Sequence, residues 1–169
     1  MLIKNCNIIY LDKIEKGSVL IENGKIKEIN PSNVNDTEVI DAEGLYLSPG
    51  FIDVHIHGAG GCDTMDGTVE SINTIAKTIV EHGTTSFTPT TMTVAAEDIR
   101  KSMKVIKKLK EEGTEGANVL GAHLEGPFIS PKAIGAQNPN FLLAPSVENY
   151  NKIVGDYGDA DRKSTRLNS

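Results

Sequence analysis

Pro49-Gly-Phe-Ile-Asp-Val-His-Ile-His57 is the stretch on which the reading of this chain turns. Pro49-Gly50 breaks the pattern that precedes it, and Phe51 to His57 reads as a short strand. Side chains alternate across a strand, so His55 and His57 face the same way, with Asp53 one step behind them. Two converging imidazoles suit a divalent transition metal such as zinc, iron or manganese. The other reading is a pair of core or surface histidines with no ion. Gly58-Ala-Gly-Gly61 then turns the chain and leaves the strand end open. It carries neither a Walker lysine nor a Gly-x-Gly-x-x-Gly spacing, so it is not a phosphate cradle.

Downstream, strand and helix signals alternate. Thr68 to His82 places Val69, Ile72, Ala76, Ile79 and Val80 on one face and ends at Gly83. Thr84-Thr-Ser-Phe-Thr-Pro-Thr-Thr91 is rich in β-formers, although its hydroxyls could also line a polar pocket. Ala95 to Glu112 carries Ile99, Met103, Ile106 and Leu109 on one stripe, with acids in its first turn and lysines near its end. Asn118 to Leu124 reads as a third strand, followed by a proline-rich loop and a helix from Ser146 to Tyr157. Spacing of ~30 residues between strands argues for βαβ units and an α/β fold with a parallel sheet. About 110 residues separate Pro49 from Ala160, room for three to four units of a (β/α)8 barrel or for an open sheet.

Before Pro49 the signals are all β. Val19 to Ile29 is a hairpin around Asn23-Gly24, and Leu2 to Tyr10 and Glu38 to Leu47 read as further strands. The 169 residues carry 17 basic and 23 acidic side chains, a net charge of −6 that disfavours nucleic acid as a partner. No apolar run approaches the ~18 residues of a membrane span, and the N-terminus lacks the unbroken apolar core of a signal peptide. Two cysteines, Cys6 and Cys62, make no disulfide framework, and a reducing cytoplasm is the expected compartment.

The second chemical signal is Gly121-Ala-His-Leu-Glu-Gly-Pro-Phe128. Glu125 falls where the third strand gives way to Gly126-Pro127, so its carboxylate is expected to open beside the histidines as a hard oxygen ligand. A loop-capping role is the alternative. His123 shares the parity of Glu125 and is expected as an outer hydrogen-bonding partner of the site, as is Asp53, or as a purely structural group. His82 closes a helix and Cys62 has no nearby thiol, so neither is expected to bind an ion.

Pro49 to His57 resembles the first-strand signature of the amidohydrolase superfamily. Gly121-Ala-His-Leu-Glu-Gly-Pro-Phe-Ile-Ser130 with Lys132-Ala-Ile-Gly-Ala-Gln137 is similar to one family within it, the N-acetylglucosamine-6-phosphate deacetylases, and Thr84 to Thr90 fits the same pattern. The resemblance covers residues 1 to about 157. It implies a partial (β/α)8 TIM barrel over 49–160, preceded over 1–48 by strands of a small β-sandwich. It further implies hydrolysis of the acetamide of an amino-sugar phosphate, giving glucosamine 6-phosphate and acetate, with one or two divalent metal ions held by His55, His57 and Glu125. Ala136, through its backbone, and Gln137 fall where the family contacts sugar. The general acid–base aspartate, two further metal-binding histidines and the phosphate-binding groups belong to later strands, and the whole enzyme is expected to be a homo-oligomer. Asp161 to Ser169, DRKSTRLNS, holds two of the three arginines and reads like translated adapter DNA. The chain is therefore expected to be an inactive N-terminal piece with a non-native tail. Another amidohydrolase, acting on a cyclic amide, an N-acyl amino acid or a nucleobase, and a non-catalytic metal-binding remnant are the competing readings.

Overall fold

The computed structural model describes residues 1–165. The chain divides into two compact units, Met1–Pro49 and Gly50 onward.

In the first unit β1 (Leu2–Ile9), β2 (Ile14–Glu22) and β3 (Lys25–Ile29) form an antiparallel meander. Asn23 and Gly24 both take left-handed backbone, φ 52° and 72°, as the two-residue turn requires. The single strand expected over 38–47 is instead two short ones, β4 (Val39–Asp41) and β5 (Tyr46–Leu47), each parallel to β1. Asp41 explains the interruption: its Oδ1 accepts from Glu43 N–H at 3.0 Å, a side-chain-closed turn, and Asn5 Nδ2 donates to both its oxygens at 2.9 Å. Cys6, Ile8 and Val19 form the buried centre of this sheet.

The second unit begins with β6 (Phe51–Ile56) and a small hairpin, β7 (Gly58–Ala59) and β8 (Cys62–Asp63). Helix α1 (Val69–Val80), β9 (Thr84–Pro89), α2 (Ala96–Glu112), β10 (Asn118–Val119), β11 (Ala122–Glu125), α3 (Val147–Val154) and β12 (Asp161–Thr165) follow. Strands β6, β9 and β10 are parallel neighbours, and β11 and β12 are another parallel pair. A parallel bridge from Thr90 to His123 joins β9 to β11 as well. The result is a mixed α/β fold in which consecutive parallel strands are linked by helices.

The strand expected over 118–124 is split at Leu120-Gly121. Gly121 has φ 137°, and a Cβ there would lie 2.5 Å from the carbonyl oxygen of Ala160, so only glycine lets the two segments approach. Asp161–Thr165, expected as tail, runs parallel to β11 as β12; the rest of that expectation, 166–169, lies outside the described residues.

Thr68 caps α1 through a reciprocal pair with Ser71. The buried face of α1 is Ile72, Ile75, Ala76 and Ile79. Ile75, absent from the expected stripe, is fully buried, whereas Val69 and Val80 flank it at 36% and 38% exposure. Helix α2 buries the expected Ile99, Met103, Ile106 and Leu109. These faces enclose Phe87 and Leu124 of the strands and Ile153 and Val154 of α3. Helix α3 ends earlier than expected and continues as a tighter 3-10 segment, Gly155–Ala160, held to α2 by Lys107–Asp159 at 2.9 Å.

Phe87 is fully buried at the centre of this cluster. Truncating it to alanine is expected to cost about 3–5 kcal/mol in denaturant unfolding. Tyr150 Oη donates to Asp161 Oδ2 at 3.0 Å, and burial, followed by the Asp161 charge, pushes the phenol up to about 12. The folded chain thus favours the neutral phenol: its contribution is intact below pH 10 and is lost as pH rises toward 12. Thermal unfolding followed against pH should therefore show a shallower alkaline decline in Tyr150→Phe than in the parent.

Candidate metal centre

The site assembles where β6, β9 and β11 end. Pairing of β6 with β9 shifts register between Asp53 and Ile56, just where the chemistry begins. Asp53 Oδ1 accepts from the His55 backbone N–H at 3.0 Å, so this carboxylate is engaged at the irregularity and does not join the histidines. Past the shift, Ile56 N–H donates to Thr90 Oγ1 at 3.0 Å and Ile56 O accepts from Thr90 N–H at 2.8 Å. Thr90 thereby fixes the end of β6.

His55 Nε2 lies 2.7 Å and His57 Nε2 3.1 Å from Glu125 Oε2, and the two nitrogens are 3.4 Å apart. Ligand atoms of all three residues fall within 4.8 Å of one another, and among the described residues no other His, Cys, Asp and Glu cluster of three or more does so. Side-chain exposure grades from 19% at Glu125 through 34% at His57 to 46% at His55, so the group has a buried floor and an accessible mouth.

Each ligand is held from behind. His57 Nδ1 lies 3.2 Å from Thr90 O. A carbonyl can only accept, so Nδ1 carries the proton and Nε2 is the nitrogen presented to the shared point. His55 is packed edge-on against His123, ring centroids 4.7 Å apart at 85°. His123 is fully buried, with Nδ1 3.2 Å from Thr90 Oγ1. Glu125 Oε1 accepts from Gln137 Nε2 at 2.9 Å.

These residues fit a divalent cation. Glu125 Oε2 is buried and no donor meets it in hydrogen-bond geometry, although two imidazole nitrogens stand within 3.1 Å. Bringing a carboxylate oxygen and two ring nitrogens this close is unfavourable when all present lone pairs, and a cation among them reverses the sign. Two nitrogens and one oxygen form a donor set suited to zinc, iron or manganese.

Of the expected site residues, the structure brings together His55, His57 and Glu125, backs them with His123, and leaves Asp53 on the backbone. Gln137 is buried against Glu125, while Ala136 beside it is exposed. Nothing in the sequence separates Thr90 from its neighbours; only its place in the hydroxyl-rich run Thr84 to Thr91 hints at its role.

A profile of the amidohydrolase family matches residues 38–106. N-acetylglucosamine-6-phosphate deacetylase of Bacillus subtilis is 36% identical over 94% of this chain and 42% of its own length. The solved deacetylase of Pasteurella multocida superposes with a TM-score of 0.82 at 26% identity, over 98% of this chain and 44% of that one. A Mycobacterium smegmatis deacetylase mutant, crystallised with N-acetyl-D-glucosamine-6-phosphate, shares the fold at TM-score 0.80 and 20% identity, over 99% of this chain and 43% of its own. The chain spans about two-fifths of the length of the curated relatives it matches. Part of the chain thus carries the amidohydrolase family's profile, and the relatives that it resembles over most of its length are N-acetylglucosamine-6-phosphate deacetylases.

Proposed function

We propose that this chain supplies part of a metal-dependent hydrolase that removes the acetyl group from N-acetylglucosamine 6-phosphate, giving glucosamine 6-phosphate and acetate. The observation that carries the reading is the approach of two imidazole nitrogens, 2.7 and 3.1 Å, to one buried carboxylate oxygen at the ends of parallel strands. Active sites of α/β enzymes gather at that end of the sheet. In this reading the helix-linked parallel strands are the first units of a (β/α)8 barrel, and the meander of the first unit belongs to an accompanying β-sandwich.

His55, His57 and Glu125 would hold the ion. A divalent cation so held supplies Lewis-acid polarisation of an amide carbonyl and acidifies water for attack on it. The protein's own work is orientation: Thr90 O fixes the His57 tautomer, His123 limits the tilt of the His55 ring, and Gln137 engages the carboxylate oxygen of Glu125 that faces away from the histidines. By the family resemblance, the exposed Ala136, through its backbone, and the buried Gln137 would contact the sugar. A proton must also reach the departing amine. Among the described residues no further carboxylate joins the His55, His57 and Glu125 group, so that step falls to a residue outside it.

Calorimetric titration of the 169-residue chain with zinc should reveal a specific site. Saturation at about 100 times the Kd should add about 2.7 kcal/mol to unfolding stability. His57→Ala should lose that stabilisation together with at least ~100-fold in affinity, more than the 10–100-fold typical of losing a group behind a ligand. The substrate is tested by replacing the matching two-fifths of the Bacillus subtilis relative with this chain. The chimera should release acetate from N-acetylglucosamine 6-phosphate, lose that activity with Glu125→Ala, and leave the chain by itself without turnover. Chelator-sensitive acetate release by the chain alone would overturn this division of labour.

A further inference from the structure

Glu125 ends in a carboxylate whose last torsion is soft, since terminal sp3–sp2 rotations have broad, roughly two-fold wells. Something must set its rotation if one oxygen is to face two imidazoles. Gln137 is only 8% exposed and spans the gap between the ends of β9 and β11. Its Oε1 accepts from Thr93 N–H at 2.8 Å, and its Nε2 donates to Glu125 Oε1 at 2.9 Å. A backbone N–H can only donate, so the Thr93 contact fixes which end of the amide is oxygen and commits the NH2 end to Glu125. Met92 Sδ takes a second, weaker contact from the same nitrogen at 3.6 Å. Thr93 Oγ1 also donates to the Glu125 carbonyl at 3.4 Å, so backbone and side chain of this glutamate are held from one direction.

We propose that Gln137 is a positioning residue that turns the Glu125 carboxylate so that Oε2 faces His55 and His57, through a donated hydrogen bond to Oε1. Both ends of its amide are engaged within the protein, so it acts on the ion through Glu125. This inference rests on His55, His57 and Glu125 holding a divalent cation.

The experiment is Co2+ titration of the 169-residue chain, read by calorimetry and by visible absorption, with metal-free thermal unfolding run in parallel. Gln137→Ala should bind Co2+ about 10–100-fold more weakly and shift the visible bands, because the carboxylate is free to rotate. Gln137→Glu keeps the volume and the acceptor for Thr93 N–H but removes the donor, so it should weaken and shift binding too, even if the alanine variant folds poorly. Parent-like affinity and spectrum in either folded variant would overturn the positioning role while leaving the metal site standing. A parent chain that takes up no Co2+ would overturn both.

Discussion

Three electron-pair donors drawn from strands far apart in sequence are made to meet at one point, and the rest of the second unit is arranged to permit it. When all three present lone pairs, a carboxylate oxygen and two ring nitrogens at this distance repel one another. The chain holds them there by occupying the far side of each group. A carbonyl takes the other nitrogen of His57, an amide takes the other oxygen of Glu125, and a buried ring bounds His55. What remains is a cluster whose unfavourable contacts are relieved by positive charge, which is how a protein stores affinity for an ion in its fold.

The backbone arrangement makes this economical. Parallel pairing brings the C-terminal ends of β6, β9 and β11 to the same edge, so residues at or just past each strand's end become neighbours without long loops. The helices contribute indirectly: α1 and α2 bury their apolar faces around Phe87 and Leu124, which fixes the strands whose ends carry the ligands. Core packing and site geometry are in this sense one problem, since a strand that slips by one residue turns its ligand to the opposite face.

Much of this was legible in the sequence, and the parts that were share a cause. His55 and His57 were placed together by the two-residue period of a strand, and Glu125 at the mouth by the Gly-Pro that ends its strand; both signals are local. The helices were legible because α2 shows its stripe plainly. Where neighbours decide, the sequence was mute. Strict alternation put Asp53 with the histidines, but a register shift set by pairing with β9 redirects it. Thr90 is one hydroxyl among many in its segment, and its importance arises only when β6 and β11 are laid on either side. Gln137 lies in a loop without periodicity, so its engagement with Glu125 follows from tertiary closure alone. The break at Gly121 is of the same kind, imposed by the close approach of Ala160.

Thr90 has a consequence of another sort. Its carbonyl serves one imidazole and its hydroxyl another, while the same hydroxyl secures the neighbouring strand through Ile56. Support for the two rings is therefore inherited as a single unit and cannot be tuned ring by ring. A change at this one residue would reach His57, His123 and the end of β6 together.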